Sequence, residues 1–240
     1  MCVNGKFSVI DNVARHEAGP STNAVQLVSP HWSSDHYAAE QIRHLVRQIF
    51  FPGWPKPARQ VVFSSIEEHG EVAGICLQVG EELAAEVPGK VAVINTDWRT
   101  STLDQVCGRT AADTTPAVTP GLLRMFSRQI SDRLWLVPLE VFVGDNDPAL
   151  AATWLRGRLA QLRLDFDYAL LHAPPAGLYT EASLLASLTD GIILVIQANL
   201  TRRGVAQKTK QELEGANARL LGTVLTDRTF PIPEGIYKRL

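Results

Sequence analysis

SSIEEHGEVAG, residues 64–74, follows the apolar run Val61, Val62, Phe63 and leads into a helical pattern. Strand, tight loop, helix is the layout of a phosphate-binding P-loop. Such a loop ends Gly-Lys-Ser/Thr, whereas this one ends Gly70-Glu71-Val72. The residues fit either a nucleotide site stripped of its chemistry or a strand–turn–helix that never was one.

The surrounding composition narrows the class. At 240 residues, 45% hydrophobic and 20% charged, the chain can bury one large core or two small ones. A formal net charge of −2 argues against a nucleic-acid binder that blankets phosphates. No apolar stretch approaches the ~18 residues of a membrane span, and no secretory h-region is visible. Cys2, Cys76 and Cys107 form no Cys-x-x-Cys pair, and no two histidines stand at the i, i+4 spacing of a helical metal site. A soluble cytoplasmic protein without a metal centre is expected.

Working outward, residues 1–32 lack periodicity and read as a flexible lead-in. A helix follows over about 34–50, with Ala38, Ile42, Leu45, Val46, Ile49 and Phe50 at helical spacing. The three prolines of FPGWPKP (51–57) stop it, so that 33–58 is a helix with its linker. From residue 59 to 240 the pattern alternates. Apolar strands are expected at 60–64, 91–95, 134–138, 167–172, 191–196 and 220–225. Helices are expected at 71–86, 120–131, 148–162, 180–188 and 203–215. Region 100–119 reads as an excursion over the surface. Apolar strands alternating with helices predict a doubly wound α/β domain, a mostly parallel sheet with helices on both faces. Ligands of such sheets sit beyond the carboxyl ends of the strands, which points to 64–72, 95–99, 172–175 and 197–201.

Those strand ends resemble one known family. KVAVINTDWR (90–99), FDYALLHAPP (166–175), TDGIILVIQANLTRRG (189–204) and RLLGTVLTDR (219–228), with the loop at 64–74, fall in the order seen in bacterial tyrosine kinases of capsule and exopolysaccharide synthesis. These are deviant-Walker P-loop ATPases, and the resemblance runs from about residue 36 to the C-terminus. It implies a P-loop NTPase-like fold and, in an intact member, ATP with Mg²⁺.

The departures from that pattern are concentrated at the site. Where the family places Lys and Ser at the P-loop, this chain has Glu71 and Val72 after Gly70. The lysine would neutralise phosphate charge and the hydroxyl would hold Mg²⁺. Glu67 and Glu68 add further carboxylates. A like-charge pair at ~4 Å costs about 4 kcal/mol at an effective dielectric of ~20, roughly three decades of affinity. The helix amides offer about half a positive charge in return. Asn95 stands for the first Asp of the second Walker motif, leaving Asp97 and Arg99 as matches. His172 replaces the Walker B Asp, a hard-oxygen ligand; Glu181 stands for an Asp and Thr226 for an Asn. Each survivor also has a plain structural reading. Asp97 can cap a turn, Arg99 can be a solvated charge, Gly70 can serve a tight turn, and His172 can end its strand with a hydrogen bond to a loop.

The resemblance bears on assembly as well. The kinases carry Glu-x-x-Arg-x-x-Arg on the helix before the P-loop strand, where it builds a ring. Glu40 and Arg43 match, but the third position is Val46 and Arg47 comes one residue late, a turn of ~100°. Of the family's tail tyrosines only Tyr237 is present. The expectation is a pseudokinase-like regulatory or scaffold protein of exopolysaccharide assembly, with no cofactor and weak or no ring formation. Its partner would be a membrane-anchored chain-length regulator or a paralogous active kinase, recruiting it to the inner membrane. Glu40, Arg43, Arg47 and Trp54 are the candidate contact residues. The alternative is a weak ATPase or protein tyrosine kinase completed by a partner subunit, using ATP and Mg²⁺. A nucleic-acid-binding partition protein is disfavoured by the charge balance.

Overall fold

A computed structural model describes residues 8–10, 34–51, 57–68, 71–97, 99, 103, 123–143 and 152–227. Its eight strands are β1 (Ser8–Ile10), β2 (Gln60–Ser65), β3 (Val91–Asn95), β4 (Arg128–Ser131), β5 (Leu134–Val137), β6 (Tyr168–His172), β7 (Gly191–Gln197) and β8 (Leu220–Thr226). The helices are α1 (Ser34–Phe50), α2 (Glu71–Glu86), α3 (Leu139–Val143), α4 (Ala152–Asp165), α5 (Glu181–Leu188) and α6 (Arg203–Gly215).

All eight strands form one sheet in the order β1-β8-β7-β2-β6-β3-β5-β4. The six inner strands are parallel, and β1 and β4 close the two edges antiparallel. The chain runs from β2 over to β3 and β5, then returns to insert β6 between β2 and β3. The carboxyl ends of β2, β6 and β3 are thus neighbours, although they lie far apart in sequence.

Burial on both sides explains why these strands are continuous apolar runs. Val61, Phe63, Val93, Leu170 and Ile193 face the layer of α1 and α2. Val62, Ile94, Leu171 and Leu194 face the layer of α3 to α6. Polar Gln60, 1% exposed at the start of β2, is satisfied. Its Nε2 donates to the Leu159 carbonyl at 2.9 Å and its Oε1 accepts from Arg163 Nε at 3.0 Å.

Helix α1 is part of the same core. Ile42, Leu45, Val46, Ile49 and Phe50 are all buried in the α2 layer. Across the seam Arg43 Nε donates to Glu82 at 2.8 Å, and Arg47 NH2 pairs with Glu86 at 3.1 Å. Arg and Glu each recur at i, i+4, so two rungs align on facing helices.

Three expectations are corrected. Residues 120–131 do not form a helix among the described positions. A short 3-10 turn (Leu123–Phe126) leads into β4, which pairs antiparallel with β5 with a register shift between Gln129 and Ser131. Helical spacing of Leu123, Phe126 and Ile130 suggested otherwise, but Asp132-Arg133 makes a turn that lets the chain fold back on β5. Secondly, Ser8–Ile10, within the stretch read as a flexible lead-in, is a strand paired to Thr223–Leu225 of β8. Thirdly, Leu103, in the stretch read as a surface excursion, is fully buried. The rest of 100–119, the linker residues 52–56 with Trp54, and Tyr237 lie outside the described residues.

Gly80 marks where α2 lies against the sheet. A Cβ there would stand 2.6 Å from Val93 Cγ2 and 3.3 Å from Leu134 Cδ1. Val93 is β-branched and fully buried, so it cannot yield. Gly80→Ala should therefore destabilise by about 1–3 kcal/mol, overriding the ~1 kcal/mol by which alanine favours a helix. Urea unfolding would read this as a lowered midpoint with an unchanged slope.

Candidate functional site

The β2–β6–β3 register brings together the residues singled out at the strand ends. His172 at the end of β6 lies opposite Phe63 of β2 and Asn95 of β3. By strand alternation His172 shares the face of Leu170, and Asn95 that of Val93, which is the face covered by α2. Helix α2 begins at Glu71, and Val72 beside it is 2% exposed within the core of that layer. Gly70 and His69 lie outside the described residues.

After β3 the chain makes two consecutive side-chain turns. Asn95 Oδ1 accepts from the Asp97 amide at 3.0 Å, and Asp97 Oδ1 accepts from the Arg99 amide at 3.0 Å. Asn and Asp favour such contacts two residues on. Asp97 thus caps a turn, and it does so while only 2% exposed.

His172 is 4% exposed, and its Nδ1 has no hydrogen-bond partner. Its backbone carbonyl, rather than its ring, ties the strand to the next loop, accepting from Thr96 N at 2.9 Å and Thr96 Oγ1 at 2.7 Å. Burial drives the imidazole pKa down to about 4, partly offset by the negative charge of nearby Asp97. A neutral ring therefore stands at the end of the central strand.

Arg99 is solvent-exposed, as a surface charge would be, and it also has partners within the chain. Its guanidinium donates to Glu181 Oε1 at 2.8 Å and lies 3.9 Å from the centre of the Tyr179 ring. The pair with Glu181 is the main reason its pKa is raised further. Tyr179 in turn donates its hydroxyl to Glu68 Oε1 at 3.2 Å, and Thr201 donates to Glu67 Oε2 at 3.2 Å. Two of the acidic side chains read as crowding a phosphate are thus held by hydroxyls of neighbouring loops.

The loops after β2 and β6 are also joined beneath this layer. Ser64 Oγ donates to the Pro174 carbonyl at 2.6 Å and accepts from the Ala176 amide at 3.0 Å. Tyr179, Thr201 and Ser64 escape sequence reading because their partners lie 111, 134 and 110 residues away. A hydroxyl at each of three strand ends was the available signal.

Of the candidate contact residues, Glu40, Arg43 and Arg47 have partners inside the chain. Arg43 NH1 meets Glu40 at 2.5 Å while its Nε holds Glu82, and Arg47 holds Glu86. Among the described residues no group of three or more His, Cys, Asp or Glu side chains is placed to hold a metal. Nor is any described helix long and apolar enough to cross a membrane.

No family model matches the chain. In sequence it is 30% identical over 93 residues to the tyrosine-protein kinase CpsD of Streptococcus agalactiae, covering 39% of this chain and 41% of that protein. The match thus spans about two fifths of that relative's length. In fold it is similar to the kinase domain of the Escherichia coli tyrosine kinase ETK. The TM-score is 0.64 at 14% identity, over 82% of this chain and 79% of that one. The VpsO kinase domain gives a TM-score of 0.61 at 21% identity, over 80% and 97%.

The buried histidine predicts a pH dependence. Its pKa is about 4 in the native state and about 6.5 in the unfolded chain. Between these values the unfolded state binds the proton and the native state does not. The contribution is therefore complete above pH 6.5 and is lost as pH falls toward 4, amounting to about 3 kcal/mol. Unfolding free energies measured across pH 7 to 4 should fall less steeply in His172→Asn than in the parent chain.

Proposed function

For a relative of the bacterial tyrosine kinases that shares the fold of their kinase domains, we propose a role without phosphoryl transfer. In this reading the chain is a pseudokinase-like regulatory or scaffold protein of exopolysaccharide or capsule biosynthesis. One observation supports it above others. At the start of α2 and the end of β6, the positions for a cation, a hydroxyl and a carboxylate hold Glu71, Val72 and His172. Val72 is packed into the core and has no oxygen to turn toward a metal. The His172 ring is neutral and supplies none of the charge by which a carboxylate would hold Mg²⁺. Glu71 sets a negative charge at the positive end of α2, where an intact site would receive phosphate. The residues present do not fit ATP with Mg²⁺.

The competing reading, a weak ATPase or protein tyrosine kinase completed by a partner subunit, is favoured by the kinase names of the sequence relatives. Under either reading the partner would be a membrane-anchored polysaccharide chain-length regulator or a paralogous active kinase. Co-purification with that regulator, expressed together with this chain, tests the partnership. Trp54→Ala is the informative variant, because Arg43 and Arg47 also clamp α1 to α2.

Three outcomes are expected. Calorimetric titration with ATP and Mg²⁺ to millimolar concentration should give no binding heat; saturable, Mg²⁺-dependent binding would favour the competing reading. Glu71→Lys alone should release no phosphate from ATP, since Val72 and His172 remain. Light scattering at micromolar protein should give a monomer or dimer, because the arginines that would reach a neighbour are engaged within the chain; a closed ring would contradict this.

A further inference from the structure

Four loops meet at the carboxyl end of the sheet, and each contributes a side chain to one continuous set of contacts. Glu68, after β2, accepts from the Tyr179 hydroxyl, after β6. The Tyr179 ring carries the guanidinium of Arg99, after β3, which is held at its other side by Glu181. Glu67, one residue before Glu68, accepts from Thr201, after β7. No two of these loops are adjacent in sequence, so the contacts exist only in the assembled fold.

We propose that this set is a strap that fixes the crevice in one closed arrangement and couples the loops after β2, β3 and β6. Arg99 and Tyr179 are its positioning residues. In a P-loop site the loops are ordered around phosphate and Mg²⁺; here carboxylates, a guanidinium and a phenol order them around each other. Arg99 bridges Glu181 and the Tyr179 ring, and Tyr179 cannot swing out without releasing both Glu68 and Arg99. Contacts that are individually weak at a surface become conditional on one another when they share members. The strap deepens the scaffold reading, giving a face of constant shape without a bound ligand, and rests on that reading only for its use.

Native-state hydrogen exchange tests the coupling. The Asp97 and Arg99 amides, which donate to Asn95 and Asp97, report the loop after β3. Residues 66–68 report the loop after β2, and Val93 and Leu170 report the core. Tyr179→Ala should speed exchange at Asp97, Arg99 and 66–68 together by about fivefold, the order set by one hydrogen bond. Tyr179→Phe, which keeps the ring, should speed 66–68 and leave Arg99 unchanged. Arg99→Gln should speed exchange across the crevice at 176–181. Acceleration confined to the substituted loop in Tyr179→Ala and Arg99→Gln would overturn the proposal, as would identical effects of Tyr179→Phe and Tyr179→Ala. Repeating the parent measurement with ATP and Mg²⁺ separates the two readings. Ligand-dependent protection would count against the scaffold role, while the response to the variants would still decide the strap.

Discussion

The insertion of β6 between β2 and β3 is the constraint on which the rest of the structure depends. It aligns Phe63, His172 and Asn95 in one row across three strands that are remote in sequence. β6 and β3 end at that row while β2 runs on to Ser65, and all three residues of the row are buried. Whatever stands at residue 172 is buried on arrival. A carboxylate at that place would need a cation or several donors to remain ionised. Imidazole meets the same burial by giving up its proton, and Asp97 beside it is steadied by the turn it caps. Glu71, Val72 and His172 thus bring to the start of α2 and the end of β6 one carboxylate, one buried apolar side chain and one buried neutral ring.

The electrostatics at the rim follow a different logic. The carboxylates of Glu67, Glu68 and Glu181 would repel one another if left to themselves. Each instead meets a donor from another loop: Thr201, Tyr179 and Arg99. Two hydroxyls and one guanidinium, spread among the strand ends, hold these three carboxylates in place.

How much of this was legible depends on the range of the interaction. The strands were readable because burial on both faces leaves uninterrupted apolar runs such as Val61-Val62-Phe63 and Ile192-Ile193-Leu194. Helices α1, α2, α5 and α6 were readable from local periodicity and end signals. The stretch 123–131 was misread because its apolar spacing suits a helix, whereas its pairing is decided by β5 next to it. Strand β1 gave no signal at all, being three residues whose strand pairing, among the described residues, is with the distant β8. At the site, the identity of the strand-end residues was legible and their partners were not. Arg99 looked like a free cation until the fold placed Glu181 and Tyr179 against it. Arg43 and Arg47 looked available to a neighbour until α2 presented Glu82 and Glu86 at matching spacing.

That last pairing bears on where this protein can be cut. The prolines after Phe51 invite the view that the α/β unit begins at residue 59 and that α1 is an appendage. A fragment begun there would keep every parallel strand, yet it would strip the cover from the apolar face of α2. Glu82 and Glu86, four residues apart on that helix, would lose the cations that separate their charges. It would also remove Phe50, whose ring meets Tyr168 edge-on at 6.0 Å, and Ile49, whose carbonyl receives the Ala58 amide at 3.1 Å. The product would be a sheet-bearing fragment with a raw hydrophobic flank edged by unbalanced acid, prone to clump rather than to fold.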